Sequence, residues 1–235
     1  MATEFARTGI AGFDAATGGG IPKGTRTIVY GPPGTGKTVF AMHFIWAGLA
    51  EGERVAWDSA DRPFAQVRRY FRSFGWEMEA YEREGKLIAL QSFPRFEEDR
   101  GEPAVEYVQA HDLGALREVS QRLTSTGVTR FVSGDHSQAV FSLISPEKMI
   151  PIADWQVHWA CHGGVTLLDI ITATQIDLEG YKSWSMSLKA AHNVIQFRIQ
   201  SGRREIRILK MEGATHPLDW VPIAVGPQGI EMGIA

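Results

Sequence analysis

The stretch TIVYGPPGTGKTVFAMHFIWAGLA, residues 27–50, decides the fold. Its first four residues form a short apolar run, the shape of a strand buried on both faces. The next eight, GPPGTGKT, fit G-x-x-x-x-G-K-[ST], with Gly31, Gly36, Lys37 and Thr38 at the fixed positions. An apolar helix follows over 39–50. Glycines let successive backbone N–H groups turn inward as a cationic nest, and the helix that follows adds its positive N-terminus. Residues Gly31, Pro32, Pro33, Gly34, Thr35, Gly36, Lys37, Thr38 and Val39 are therefore the candidate nucleotide contacts. Lys37 is the candidate for the β- and γ-phosphates, and the Thr38 hydroxyl for Mg²⁺.

Outward from this segment, short apolar runs alternate with helical patterns, which predicts parallel βαβ units. Strands are expected at 54–57, 86–91, 130–134 and 165–171, and helices at 64–73, 111–125 and 148–162. The last third changes period: 194–200, 206–210 and 220–225 read as antiparallel strands with a Ser-Gly turn. The acidic, turn-rich 93–105 reads as an exposed loop. The expectation is an α/β fold with a mainly parallel central sheet, flanking helices and an antiparallel C-terminal extension, in a single domain over 1–235.

A net charge of −3 over 235 residues gives no basic field for unspecific nucleic-acid binding. No apolar run approaches the roughly 18 residues of a membrane span. The first residues do not read as a signal peptide, and the one cysteine, Cys161, suits a reducing compartment, so a cytoplasmic location is expected.

Such a site needs a carboxylate at the end of a neighbouring strand to hold hydrated Mg²⁺. Asp135, ending RFVSGD, is the candidate; the other reading is a helix N-cap or turn aspartate.

Several segments taken together resemble the KaiC-like branch of the RecA-fold P-loop ATPases. They are TGIAGFDAATGGGIPKGT (8–25), FRSFGWEMEAYEREGKLIAL (71–90), DHSQAVF (135–141) and KMEGATH (210–216). The resemblance implies a RecA fold, with ATP sandwiched between neighbouring subunits of a homo-oligomer, often a hexamer. Two departures stand out. The family's paired glutamates, one of which polarises the attacking water, are replaced by WDSADRP (57–63), whose carboxylates are Asp58 and Asp61. Each reads either as a shorter base or as a cap of the helix beginning near Pro63. In the family's K-x-R the two cations reach a neighbour's γ-phosphate; here Lys210 is kept but Glu212 stands in the arginine position. An arginine finger is worth about 10³–10⁵ in turnover. The expectation is an ATP-binding protein that hydrolyses slowly and acts as a nucleotide-dependent regulatory or assembly factor. By period-two counting Arg204 shares a strand face with Lys210.

A second reading is a RecA-paralogue-like accessory factor binding single-stranded DNA. It rests on Tyr181, Lys182, Trp184 and Lys189 in the 172–192 segment, opposed by Asp177 and Glu179; an ordinary surface or subunit-contact loop is the alternative. Thr172, Thr174 and Gln175 are candidates to sense the γ-phosphate. His158, Cys161 and His162 share a helical face as zinc ligands would, but with no further cysteine they read as core or interface residues. Arg68, Arg69 and Arg72 form a basic face balanced by the glutamates that follow. His216 reads as a subunit-contact or a turn residue.

Overall fold

The computed structural model describes residues 3–92, 105–109, 112–136, 145–173 and 187–233. Alternation within each strand organises it. Val55 and Trp57 of β4 (Arg54–Ser59) pack on one face of the sheet, and Ala56 between them on the other. Val132 and Phe131 of β7 (Val128–Ser133) divide in the same way. Both faces are therefore apolar, as parallel strands covered by helices require.

One ten-stranded sheet runs through the described residues in the order β12-β11-β10-β9-β3-β8-β7-β4-β5-β6. Its parallel part comprises β3 (Arg26–Gly31), β4, β5 (Leu87–Ser92), β6 (Val105–Val108), β7, β8 (Thr166–Thr172) and β9 (Asn193–Gln200). β10 (Arg203–Met211), β11 (Val221–Gly226) and β12 (Gly229–Met232) continue it antiparallel. A separate ribbon joins β1 (Phe5–Ala6) to β2 (Ile21–Pro22), with α1 (Ala11–Thr17) between them. The helices α2 (Lys37–Ala50), α3 (Phe64–Arg72) and α4 (Glu79–Arg83) lie on the face of Val55 and Trp57. The opposite face carries α5 (Leu113–Ser125) and α6 (Pro146–Gly163). No helix among the described residues is long and apolar enough to cross a membrane.

The mainly parallel sheet with its antiparallel extension is as expected. The differences are local. Val105, expected in a loop, opens β6, and the rest of that loop (93–104) lies outside the described residues. β12 is an additional strand, turned back from β11 at Pro227 and Gln228. The fifth helix, expected from His111, has Asp112 as its N-cap, the carboxylate accepting from Ala115 N at 2.8 Å; His111 lies outside the described residues. Neither Asp58 nor Asp61 caps α3, because Pro63 is its N-cap and no side chain bonds there.

α2 is buried along most of its length, and two contacts fix it. Arg130, the largest fully buried side chain, spans from β7 to the helix: it donates to Phe44 O at 2.9 Å, and its Nε reaches Glu53 at 2.7 Å. One residue before Phe44, His43 Nε2 accepts from Ile230 N of β12 at 2.7 Å. Burial pushes the His43 imidazole down to about 4. A base with a depressed folded pKa contributes stability above its ordinary value of 6.5, and that contribution is lost as pH falls towards 4. At about 1.4 kcal/mol per pH unit, the expected loss between pH 6.5 and 4 is about 3 kcal/mol. Urea unfolding across this range measures it. His43→Gln keeps an acceptor without a proton to gain, and should flatten the slope; equal slopes in the two proteins would contradict this assignment.

Candidate functional site

The loop between β3 and α2 is built from backbone no other residue type accommodates. Gly31, at φ +153°, lies so close to β9 that a Cβ there would sit 2.3 Å from Phe197 O. Gly36 precedes α2 at φ +108°, in the left-handed region, and serves as its N-cap. Pro32 O is the loop's internal anchor, accepting from Lys37 Nζ at 2.8 Å and Thr35 Oγ1 at 2.9 Å. Arg204, at the start of β10, donates from Nε to Gly34 O at 2.9 Å.

Lys37 is 4% exposed, and burial pushes its ammonium down to about 8, against an opposing pull from Asp135. A buried ammonium held on a carbonyl is a group whose charge is better satisfied by an anion. This chemistry, beside glycines at positive φ and the start of a helix, fits a triphosphate and its Mg²⁺. Lys37, Thr38 and Asp135 line one cleft of about 340 Å³, with Arg62 and Arg204 on its walls. That is within the range of small-molecule sites. Asp135 lies just past the end of β7, two strands from β3. Its carboxylate accepts from Thr172 N at 3.2 Å and also from the Thr172 hydroxyl. Thr172 pairs in register with Gly31, so the acid and the loop meet at the strand ends. Thr174 and Gln175 lie outside the described residues.

The two other carboxylates part company. Asp58 follows Ala56 in the alternation and faces α5 and α6, away from α2. There Oδ2 accepts from Ser92 Oγ at 2.7 Å and meets His136 Nε2 at 3.1 Å. Burial pulls the His136 imidazole down, but the Asp58 hydrogen bond together with the charges of Asp58, Asp169 and Asp135 raises it above its ordinary value. Asp58 lines a second cavity with Arg26 and Asp169, and Lys37 and Thr38 are not among the residues around it. Asp61 lies in the turn after β4 and lines a crevice with Thr38 and Asp135, its carboxylate paired with Arg62.

Lys210 and Arg204 do not share a face. The register of β10 shifts between Ile208 and Lys210, so Met211 returns to the core beside Ile206 and Ile208 and Lys210 turns outward. Lys210 also lies at the end of the sheet away from its own loop, pairing with Val194. Its ammonium donates to Ala191 O at 2.7 Å and meets Glu212 at 2.8 Å. His158, Cys161 and His162 form no metal site: among the described residues no group of three or more such side chains could hold a metal. Their contacts are a stacked His158–His162 pair and Cys161 Sγ 3.3 Å from His192. His216 is half-buried, with Nδ1 3.2 Å from Pro217 O. Of the 172–192 segment, 174–186, with Tyr181, Lys182 and Trp184, lies outside the described residues.

The sequence reading missed Arg62 as a wall of the cleft. Its signal was a cation two residues before the first turn of a helix that follows the strand beside the site.

A glycine-rich loop between a parallel strand and a buried helix, with a strand-end aspartate beside it, defines a nucleotide-binding α/β protein of the RecA-fold P-loop class. The profile of the KaiC ATPase family matches residues 6–137. The chain is 31% identical over 228 residues to circadian clock protein KaiC3 of Synechocystis, covering 94% of this chain and 44% of that protein. It is 44% identical over 93 residues to a UPF0273 protein of Methanopyrus kandleri, covering 40% of this chain and 37% of that one. Among solved structures, a KaiC-like protein of Pyrococcus horikoshii superposes with a TM-score of 0.78 at 26% identity, over 98% of this chain and 99% of that one. The chain belongs to the KaiC family of ATPases. It spans less than half the length of the circadian clock KaiC proteins it matches.

Proposed function

We propose that the chain binds ATP with Mg²⁺ in the cleft formed by residues 31–39 and acts as a nucleotide-dependent regulatory or assembly protein that turns ATP over slowly. One observation carries the reading: Lys37, Thr38 and Asp135 share a cleft around which no glutamate is found among the described residues. In this reading Lys37 holds the β- and γ-phosphates, while Thr38 and Asp135 hold the metal. The metal neutralises charge on the phosphate oxygens. Asp61 is the carboxylate available to orient a water, but its pairing with Arg62 weakens it as a base. Asp58 points to the other face of the sheet and serves the His136 contact instead.

A homo-oligomer follows from the family, and Lys210 could act only on a neighbour's nucleotide, since its own loop is at the other end of the sheet. Glu212, 2.8 Å from Lys210, offsets its charge, so help from a neighbour is weak. The single-stranded-DNA reading is not favoured: the curated relatives that match over most of this chain are KaiC proteins, and the residues that suggested it, Lys189 apart, lie outside the described ones.

The test is single- and multiple-turnover ATP hydrolysis with Mg²⁺, alongside size-exclusion chromatography with and without nucleotide. Tight binding with a kcat well below about 1 s⁻¹, in the range where ordinary enzymes begin, is expected. A kcat at or above that value would remove the switch reading and leave an ordinary ATPase.

A further inference from the structure

Three cations line the phosphate cleft among the described residues: Lys37, Arg62 and Arg204. Two are tied to the loop itself, Lys37 to Pro32 O and Arg204 to Gly34 O. Arg62 differs. It comes from the turn between β4 and α3, and its guanidinium is paired with the carboxylate of its neighbour Asp61, Nε to Oδ2 at 2.9 Å. The turn is braced from both sides. Ser59 Oγ donates to Arg62 O at 2.7 Å, and Gln91 Oε1 accepts from Phe64 N at 3.2 Å. The backbone carrying Arg62 is thus fixed while its side chain, a third exposed, remains able to exchange partners.

Position separates its task from that of Arg204. Arg204 lies over the loop, where the inner phosphates sit in a glycine-rich cradle. Arg62 borders both the cleft and the adjoining crevice, which holds Thr38 and Asp135. Tyr70 lines the cleft with both arginines; burial raises its hydroxyl, while the charges of Arg62 and Arg204 both pull it down. Arg62 is therefore the cation on the metal side of the cleft, where a third phosphate extends.

Resting on the reading of this cleft as an ATP site, we propose that Arg62 binds the γ-phosphate from within the same chain and so makes the site prefer a nucleoside triphosphate to a diphosphate. Asp61 is the positioning residue that holds the guanidinium in place until the phosphate replaces it. The exchange is favourable because a partly exposed pair with a carboxylate is worth little, whereas a guanidinium and a phosphate meet in two parallel charge-assisted bonds. The charge that Glu212 does not bring from a neighbour is in this way supplied in cis.

The test is titration of the whole chain with Mg²⁺ and either the β,γ-imido analogue of ATP or ADP. It compares wild type with Arg62→Gln, Arg62→Lys and Asp61→Asn, each checked by thermal melting. Arg62→Gln should weaken the triphosphate by about tenfold or more and ADP by less than about threefold. Arg62→Lys, which keeps the charge but not the fork, should fall between, and Asp61→Asn should bind the triphosphate at least as well as wild type. The wild-type preference should persist at dilutions where sedimentation finds only monomer. Equal weakening of both nucleotides, an unchanged triphosphate affinity, or a preference that vanishes on dilution would each overturn the proposal. Wild type binding neither nucleotide would instead overturn the reading of the cleft.

Discussion

Replacing Lys37 with alanine is expected to weaken ATP binding by about 100-fold or more, without lowering the melting temperature. The affinity follows from a buried ammonium lining the cleft, where a charge-assisted bond to phosphate contributes about 1.5–3 kcal/mol and the low dielectric strengthens it. The stability half has the opposite origin. In the protein alone this ammonium is 4% exposed, and burial pushes it down to about 8, so its charge is held at a cost that alanine removes. Phosphate raises the lysine's pKa, so binding draws in a proton wherever the free protein has lost it. Affinity should stay level below pH 8 and then fall by up to about tenfold per unit as pH rises above 8, until the complex itself deprotonates. Isothermal titration in buffers of different ionisation enthalpy measures both affinity and proton uptake. A Lys37→Ala protein that binds within threefold of wild type would remove Lys37 from the site.

The second large effect is on stability. Arg130→Met should cost about 3–5 kcal/mol, the range for breaking a buried ion pair from one side. The side chain is fully buried and makes five hydrogen bonds: two to Glu53, one to Glu51, and one each to Arg7 O and Phe44 O. It is also why Gly48 carries no side chain, since a Cβ there would lie 2.7 Å from the Arg130 Nε. Burial alone would raise the Glu53 carboxyl, but the Arg130 hydrogen bond and charge hold it below its ordinary value. The depressed carboxyl contributes stability above pH 4.5 that is lost on acidification, and the variant should lose this acid dependence with the arginine. Arg130→Lys should recover little, since one ammonium cannot reproduce a fork contacting four groups. A denaturant midpoint giving under 1 kcal/mol for Arg130→Met would show that the neighbours rearrange without it.

The contrast between these residues shows what the sequence could carry. Lys37 was legible because the phosphate loop is local: eight consecutive residues hold all the information its geometry needs. Arg130 was not, since its partners come from four places along the chain and nothing in RFVSG distinguishes a buried arginine from a strand-end one. Asp58 was half legible. Counting by two from Val55 and Trp57 puts it on the other face, but capping and catalytic readings both drew it towards the helix that follows. The same count failed for Arg204 and Lys210, because one bulged residue, Leu209, exchanges the faces of β10 beyond it. The strands β6 and β12 were hidden by their short lengths, one behind an acidic run and the other behind a two-residue turn.

The glycine-rich loop is also a part of the chain whose contacts are completed late. Arg204 clasps Gly34 across 170 positions of sequence, and Ile230 reaches His43 across 187. As the polypeptide leaves the ribosome, the glycine-rich segment emerges early while the strands that clasp it are still unmade. Such distant closures slow folding, since most of the chain must be ordered before they form. Proteolytic loss of the strand beginning at Gly229 would accordingly blunt nucleotide affinity at a loop made nearly two hundred residues earlier.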